Sequence, residues 1–220
     1  MKNRQTEFTI ELQNYVYENF NAEDKLLKDI ANNCWEEAQI PQINITGYQA
    51  QFLQFIIKAI DAKNILEIGT LAGYSAIVMA RAASEDAKVL TIEKEKKYAD
   101  YARNNIIKAG LENKIKIIVE NAHSFIKKFA PNELLDLIFL DADKSAYFKY
   151  INALTPYLRK GGIVIADNAF AFGFLLDTAP ERNPEEVRSM INFHKHLLER
   201  KDYFTTIVPI GDGILLSIKI

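Results

Sequence analysis

The sequence holds one cysteine, Cys34, which excludes an internal disulfide. Zinc sites built on several thiolates are excluded with it, and Cys34 reads as a small buried hydrophobe. Nine glycines and six prolines are spread through 220 residues, with no Pro/Gly/Ser-rich linker, low-complexity segment or internal repeat. Neither sign of charge dominates: 27 Lys and Arg face 29 Asp and Glu, for a formal net charge of −2. No global basic field therefore draws in nucleic acid or an acidic membrane. Long apolar runs are missing as well. None approaches the roughly 20 residues a membrane span needs, and the N-terminus is polar and periodic, unlike a signal peptide. The expected location is the cytoplasm, with no membrane partner.

What is present is ordinary for a globular protein: 49% hydrophobic and 25% charged residues. The length fits one domain, 1–220, able to bury a core without staples. Residues 1–60 read as a helical N-terminal extension and 61–220 as the core. Leu12, Val16 and Phe20 recur at helical spacing, and Leu26, Leu27, Ile30 and Cys34 mark a second helix. Pro41 interrupts. A third helix is predicted from Tyr48 to Ile60 with Phe52, Phe55 and Ile56 inward.

From Lys63 the pattern changes. Apolar runs at 64–68, 88–93, 114–119, 134–140 and 163–166 read as buried strands, with helices between them. That alternation implies right-handed crossovers and a parallel sheet covered on both faces. A helix follows at 185–199. Tyr203 to Ile210 and Ile214 to Ile220 are separated only by Gly211-Asp212-Gly213, so they must pair as an antiparallel hairpin.

The first strand leads into Glu67-Ile68-Gly69-Thr70-Leu71-Ala72-Gly73-Tyr74-Ser75. Ligands of open parallel sheets bind beyond the carboxyl ends of the strands, and Gly69 and Gly73 permit a tight turn and close approach. The G-x-x-x-G spacing is not the G-x-G-x-x-G that seats a pyrophosphate. Glu67 would repel a phosphate and suit an amine. A tight turn with no ligand uses the same residues. Glu93, 26 residues after Glu67, ends the second strand, where an acid can accept from both hydroxyls of a ribose; a solvated strand-end charge is the alternative.

The fourth strand runs into Asp141-Ala142-Asp143-Lys144 and the fifth into Asp167-Asn168. In a doubly wound sheet these strands are neighbours about 4.8 Å apart. Asp141, Asp167 and Asn168 then form a hard oxygen site suited to Mg²⁺, and the two carboxylates would repel each other without a cation. Helix caps are the competing explanation. Lys144, one step beyond, is expected to have a lowered pKa beside a divalent ion, which suits a general base. A surface lysine is the alternative. Phe170 and Phe172 are candidates for an acceptor pocket. His194 and His196 are two apart on a helix and cannot share a face, and His123 reads as a surface or core histidine.

Together these stretches resemble the metal-dependent class I O-methyltransferases related to catechol and caffeoyl-coenzyme A O-methyltransferases. The resemblance rests on Leu66–Thr70 with Gly73-Tyr74-Ser75, on Asp136–Lys144, on Gly161-Gly162, on Asp167-Asn168 and on Gly211-Asp212-Gly213. It implies an α/β, Rossmann-like, doubly wound seven-stranded sheet, mostly parallel with one antiparallel C-terminal strand, plus N-terminal helices. It also implies S-adenosyl-L-methionine as cofactor, contacted by Glu67, Gly69, Ser75, Glu93, Ala122, Asp141 and Asp143. Asp141, Asp167 and Asn168 would hold a divalent metal, Mg²⁺ first, and Lys144 would be the base. The acceptor would be a small hydroxylated aromatic, and the protein a homodimer. Hydroxyuridine in transfer RNA is a further acceptor within the family, and the net negative charge argues against it. Two departures stand out. Ala169-Phe170-Ala171-Phe172 replaces a bulky Val-Leu-Trp, and Glu120-Asn121-Ala122 replaces a Gly-acidic pair. A nicotinamide-dependent oxidoreductase is opposed by the loop spacing and Glu67, and a non-catalytic binding protein by the retained Asp141, Lys144, Asp167 and Asn168.

Overall fold

Apolar strands alternating with amphipathic helices bury themselves only if the helices cover both faces of a sheet. The computed structural model describes residues 7–177 and 184–220; residues 1–6 of the expected helical extension lie outside the described residues. Three helices come first: α1 (Ile10–Asn19), α2 (Lys25–Ala38) and α3 (Gly47–Ala59). The alternating part follows: β1 (Asn64–Ile68), α4 (Tyr74–Ala82), β2 (Lys88–Glu93), α5 (Lys96–Lys108), β3 (Ile115–Val119), α6 (Ala122–Lys128), β4 (Leu135–Leu140), α7 (Tyr147–Leu154) and β5 (Leu158–Ala166). The chain then forms α8 (Pro184–Glu199), β6 (Tyr203–Val208) and β7 (Ile214–Lys219).

Among the described residues the strands form one seven-stranded sheet in the order β3-β2-β1-β4-β5-β7-β6. The first five strands are mutually parallel. β7 runs antiparallel to both β5 and β6, so it is the single reversed strand, and the expected hairpin forms. The order reverses between β1 and β4, the place where a crevice opens at the carboxyl ends of a doubly wound sheet.

Side chains alternate across the strands and feed two cores. Ile65 and Phe139 face Leu27, Ile30, Cys34, Leu53 and Ile57 of α2 and α3, with Ile77 and Met79 of α4. Leu66, Ile138 and Val164 face Tyr147, Ile151, Met190, Phe193 and Leu197 of α7 and α8. The N-terminal helices α2 and α3 thus share their core with β1 and β4.

Two expectations, the facing of Phe55 and the start of the fifth strand, are corrected. Phe55 is exposed rather than inward, at 67%, because the buried stripe of α3 runs Gln49, Ala50, Leu53, Ile57 and Phe55 lies two residues off it. α1 forms where the periodicity puts it but buries none of its residues. β5 begins at Leu158 rather than at the expected 163, because Gly161-Gly162 falls in an irregularity of register inside the strand. Among the described residues no helix is long and apolar enough to cross a membrane.

Candidate active site at the ends of β1, β2, β4 and β5

The turn after β1 is shaped first by its own packing. A Cβ on Gly69, at φ +107°, would sit 2.2 Å from the carbonyl oxygen of Asp141. Glycine is therefore required for the β1 and β4 exits to touch. Beneath this turn Glu67 is fully buried. Ser75 Oγ donates to its Oε1, whereas Oε2 is buried with no partner. Burial raises the Glu67 pKa to about 8 against the Ser75 hydrogen bond, and the charges of Asp141 and Glu93 push it the same way. Glu93, 7% exposed, accepts from the Leu71 N–H at 2.9 Å and the Glu95 N–H at 2.9 Å. It ties the turn to the end of β2, and each oxygen keeps a second lone pair.

A crevice of about 490 Å³ opens at these strand ends, within the size range of small-molecule and cofactor sites. It is lined by Gly69, Glu93, Ala122, Asp141, Asp143 and Lys144, so six of the sequence-predicted site residues meet there. His123 and Tyr150 join them, with ring centroids 5.4 Å apart; the sequence reading had set His123 aside. Asp143 also caps the 3-10 turn at 144–146, its Oδ1 accepting from the Ser145 N–H and Oγ. A larger groove of about 770 Å³ lies along β3 at the starting ends of β2 and β3, opposite the end where ligands of such sheets bind.

The other half of the site is set by register. Leu140 pairs with Ala166, and the Asp167 N–H donates to the Leu140 carbonyl at 3.1 Å. Asp141 and Asp167 therefore leave neighbouring strands side by side. Asn168 follows at φ 59°, a left-handed conformation that Asn tolerates. Its Nδ2 donates to Asp212 Oδ2 at 3.2 Å. Asp212 also accepts the Phe172 N–H at 2.7 Å and the Gly173 N–H at 3.2 Å. The Phe170 ring packs over Gly213, where a Cβ would meet it at 2.9 Å.

Burial and the charge of Asp141 hold the Asp167 carboxyl above the usual carboxylate range, against the Asn168 backbone and Lys144. Lys144 Nζ lies 2.8 Å from Asp141 Oδ1. Burial disfavours its charge, but Tyr147 and Asp141 outweigh that and raise its pKa above the usual lysine range. The expected lowering of Lys144 is thus not produced by the protein's own groups, because its nearest partner is an anion. Two adjacent carboxylates and an amide whose nitrogen is committed to Asp212 leave hard oxygen donors for a cation, and this set fits Mg²⁺. Among the described residues no group of three or more His, Cys, Asp or Glu could hold a metal; the candidate set reaches three only through Asn168.

Sequence reasoning missed Gln49 and Glu23. Gln49 Nε2 donates to Asp167 Oδ1 at 3.1 Å across 118 residues. Glu23 accepts from Tyr74 at 2.9 Å and Tyr17 at 2.6 Å, fixing the start of α4 to the N-terminal segment. For Gln49 a signal existed: Thr46-x-x-Gln49 is a capping box, and it forms.

The likeness to known proteins covers nearly the whole chain. The sequence profile of an O-methyltransferase family matches residues 17–220. A catechol O-methyltransferase of Niastella koreensis is 36% identical over 168 residues, 76% of each protein. A caffeoyl-CoA O-methyltransferase of Populus kitakamiensis is 29% identical over 215 residues, 93% of this chain and 92% of the relative. The crystal structure of the O-methyltransferase from Bacillus cereus in complex with SAH superposes with a TM-score of 0.87 at 28% identity, covering 96% of this chain and 97% of that one. With the seven-stranded sheet and the crevice at its switch point, these matches lead to one statement: the chain belongs to the O-methyltransferase family and is an S-adenosylmethionine-dependent O-methyltransferase.

Proposed function

We propose that this enzyme methylates one hydroxyl of a small, catechol-like aromatic held by a divalent metal, with Mg²⁺ the best-suited ion. One observation carries the reading: Asp141 and Asp167 leave neighbouring strands β4 and β5 side by side, and Asp141 lines the crevice with Lys144, whose Nζ lies 2.8 Å from Asp141 Oδ1. The catechol O-methyltransferase of Niastella koreensis supports the acceptor class. When bound, S-adenosylmethionine supplies the methyl group, and the metal supplies positive charge that favours an ionised hydroxyl.

The chain's residues then divide the work. Asp141, Asp167 and Asn168 hold the metal. Glu67, Gly69, Ser75, Glu93, Ala122, Asp141 and Asp143 form the cofactor side. The unpartnered Oε2 of Glu67 suits a donor such as an ammonium, and the spare lone pairs of Glu93 suit a pair of ribose hydroxyls. Lys144 takes the hydroxyl proton at Nζ. A bound divalent cation would supply positive charge beside Lys144 and compete for the Asp141 carboxylate that holds its ammonium, which would favour the neutral amine a base needs. Crevice walls orient the acceptor beside the methyl donor, and most of the acceleration comes from that placement.

In this reading residues 1–220 act as one catalytic domain, in the cytoplasm and as a homodimer. Pairing is supported by α1, which buries none of its residues and exposes Ile10, Tyr15 and Phe20. Labelled methyl transfer from S-adenosylmethionine to catechols and to matched monophenols tests the acceptor class. Catechols, which offer two adjacent oxygens, are expected to be labelled and monophenols are not. Equal labelling of both would contradict chelation, and no labelling of any catechol would remove this acceptor class.

A further inference from the structure

The end of β5 is held by residues that come from far away in the chain. Gln49 is 5% exposed on the inner face of α3, and both ends of its carboxamide are committed. Its Oε1 accepts from the Thr46 N–H at 2.9 Å and from Thr46 Oγ1 at 2.9 Å. That contact fixes which end of the amide is oxygen. The nitrogen end therefore points at Asp167, and Nε2 donates to Oδ1 at 3.1 Å. Further packing locks the arrangement. A Cβ on Gly211, at φ +58°, would meet the Gln49 carboxamide at 2.6 Å, and the Gly211 N–H donates to the Tyr48 hydroxyl at 3.1 Å. The turn between β6 and β7 is thus closed over Gln49, and the next residue, Asp212, holds Asn168.

In this orientation Gln49 cannot be a metal ligand, because an amide nitrogen carrying its protons has no lone pair to give. It can only fix the carboxylate it touches. Partners of this kind, one bond removed from a metal, orient the ligand, and their loss typically costs metal affinity or activity.

We propose that Gln49 is a positioning residue for the metal centre. The capping box of α3 aims its Nε2 at Asp167 Oδ1, which holds the carboxylate so that Oδ2 faces the cation. The N-terminal helical segment is in this way part of the catalytic apparatus. The inference rests on the metal reading of Asp141, Asp167 and Asn168 given above.

Mn²⁺ binding to the whole chain with SAH present, read by electron paramagnetic resonance, tests it without reference to turnover. Gln49→Met keeps the length and removes the donor. Its dissociation constant for Mn²⁺ is expected to rise about tenfold, while SAH affinity stays as in the unaltered chain. Mn²⁺ affinity within about twofold of the unaltered chain, in a folded variant, would overturn the proposal. Loss of SAH affinity in step with Mn²⁺ affinity would overturn it too, as general disruption. Asp141→Asn in the same titration separates the two readings. If it leaves Mn²⁺ binding intact, the metal site itself is wrong. If it abolishes binding and Gln49→Met changes nothing, only the positioning role fails. Should Gln49→Met not fold, the carboxamide resonance of Gln49 in the unaltered chain decides. A shift on adding Mg²⁺ supports the contact, and an unmoved resonance overturns it.

Discussion

At the end of β1, Glu67 takes its hydrogen bond from Ser75, eight residues on, and at the end of β2 Glu93 takes its pair from Leu71 and Glu95, 22 residues back and two on. At the end of β5, Asp167 takes its bond from Gln49, 118 residues away, and Asn168 gives to Asp212, 44 residues away. The first half of the site is built by a single strand-turn-helix unit and its neighbour. The other is assembled from the N-terminal segment, two strand exits and the last hairpin. The halves also differ in charge. The charges acting on Glu67 are acidic, those of Asp141 and Glu93, whereas Asp141 and Asp167 share a corner with one ammonium, Lys144. In the proposed function the half made locally seats the cofactor, and the half made from distant pieces holds the metal and the acceptor. Substitutions should therefore divide between binding and turnover, with Asp141, assigned to both halves, weighted towards turnover.

The largest effect is expected from Asp141→Ala. It should abolish turnover, a loss of roughly a thousandfold or more if the metal contributes several kcal/mol to the transition state. SAH should still bind through the remaining cofactor-side residues, with a loss of affinity far smaller than the loss of turnover, as calorimetry would show. An active Asp141→Ala enzyme would break the division at its strongest point. Next is Lys144→Met, which should lower kcat by about a hundredfold to ten-thousandfold while Mn²⁺ binding survives. A Lys144→Met enzyme that lost the metal instead would make Lys144 structural.

On the other half, Glu67→Gln should leave Mn²⁺ binding alone. SAH affinity should fall about tenfold to a hundredfold, the range for losing a charge-assisted hydrogen bond. An unchanged SAH dissociation constant would mean that the unpartnered oxygen of Glu67 meets no ligand. The same variant carries a smaller effect on stability. Folded Glu67 keeps its proton up to about pH 8, whereas the free carboxyl releases it near 4.5. The folded chain thus binds more protons than the unfolded chain inside that window, and stability falls as pH rises through it. Glu67→Gln removes this contribution. Thermal unfolding of the ligand-free protein should depend less on pH between about 5 and 8 than in the unaltered chain; parallel curves would show that Glu67 is not so perturbed.

The same division explains what could be read from sequence. The placement of Asp141, Asp167 and Asn168 at neighbouring strand exits was legible because each aspartate directly ends an apolar run, and adjacent strand exits are a property of the fold class. The place of Glu93 at the end of β2 was legible for the same reason and that of Glu67 from the glycine turn that follows it, as was the hairpin, which two strands and a short Gly-Asp-Gly connection dictate. Gln49 was not, because its partner is set by how α3 docks on β4 and β5, a tertiary fact that no local period encodes. The capping box announced the start of α3 but not what lay beyond it. Phe55 misled through its size: an aromatic at helical spacing looked inward, while the stripe through Ala50, Leu53 and Ile57 passes it by. The contact of Lys144 with Asp141, which raises its pKa among the protein's own groups, was not legible, because the expectation considered a divalent ion beside it and not the carboxylate it touches.

Methyl transfer to a catechol in the presence of Mg²⁺, then with excess chelator, then with Mg²⁺ restored, tests the central claim most directly. The account predicts that transfer stops with chelator and returns with the metal, while bound SAH is unaffected throughout. Transfer that continues undiminished in chelator would contradict it and reduce Asp141, Asp167 and Asn168 to a structural cluster.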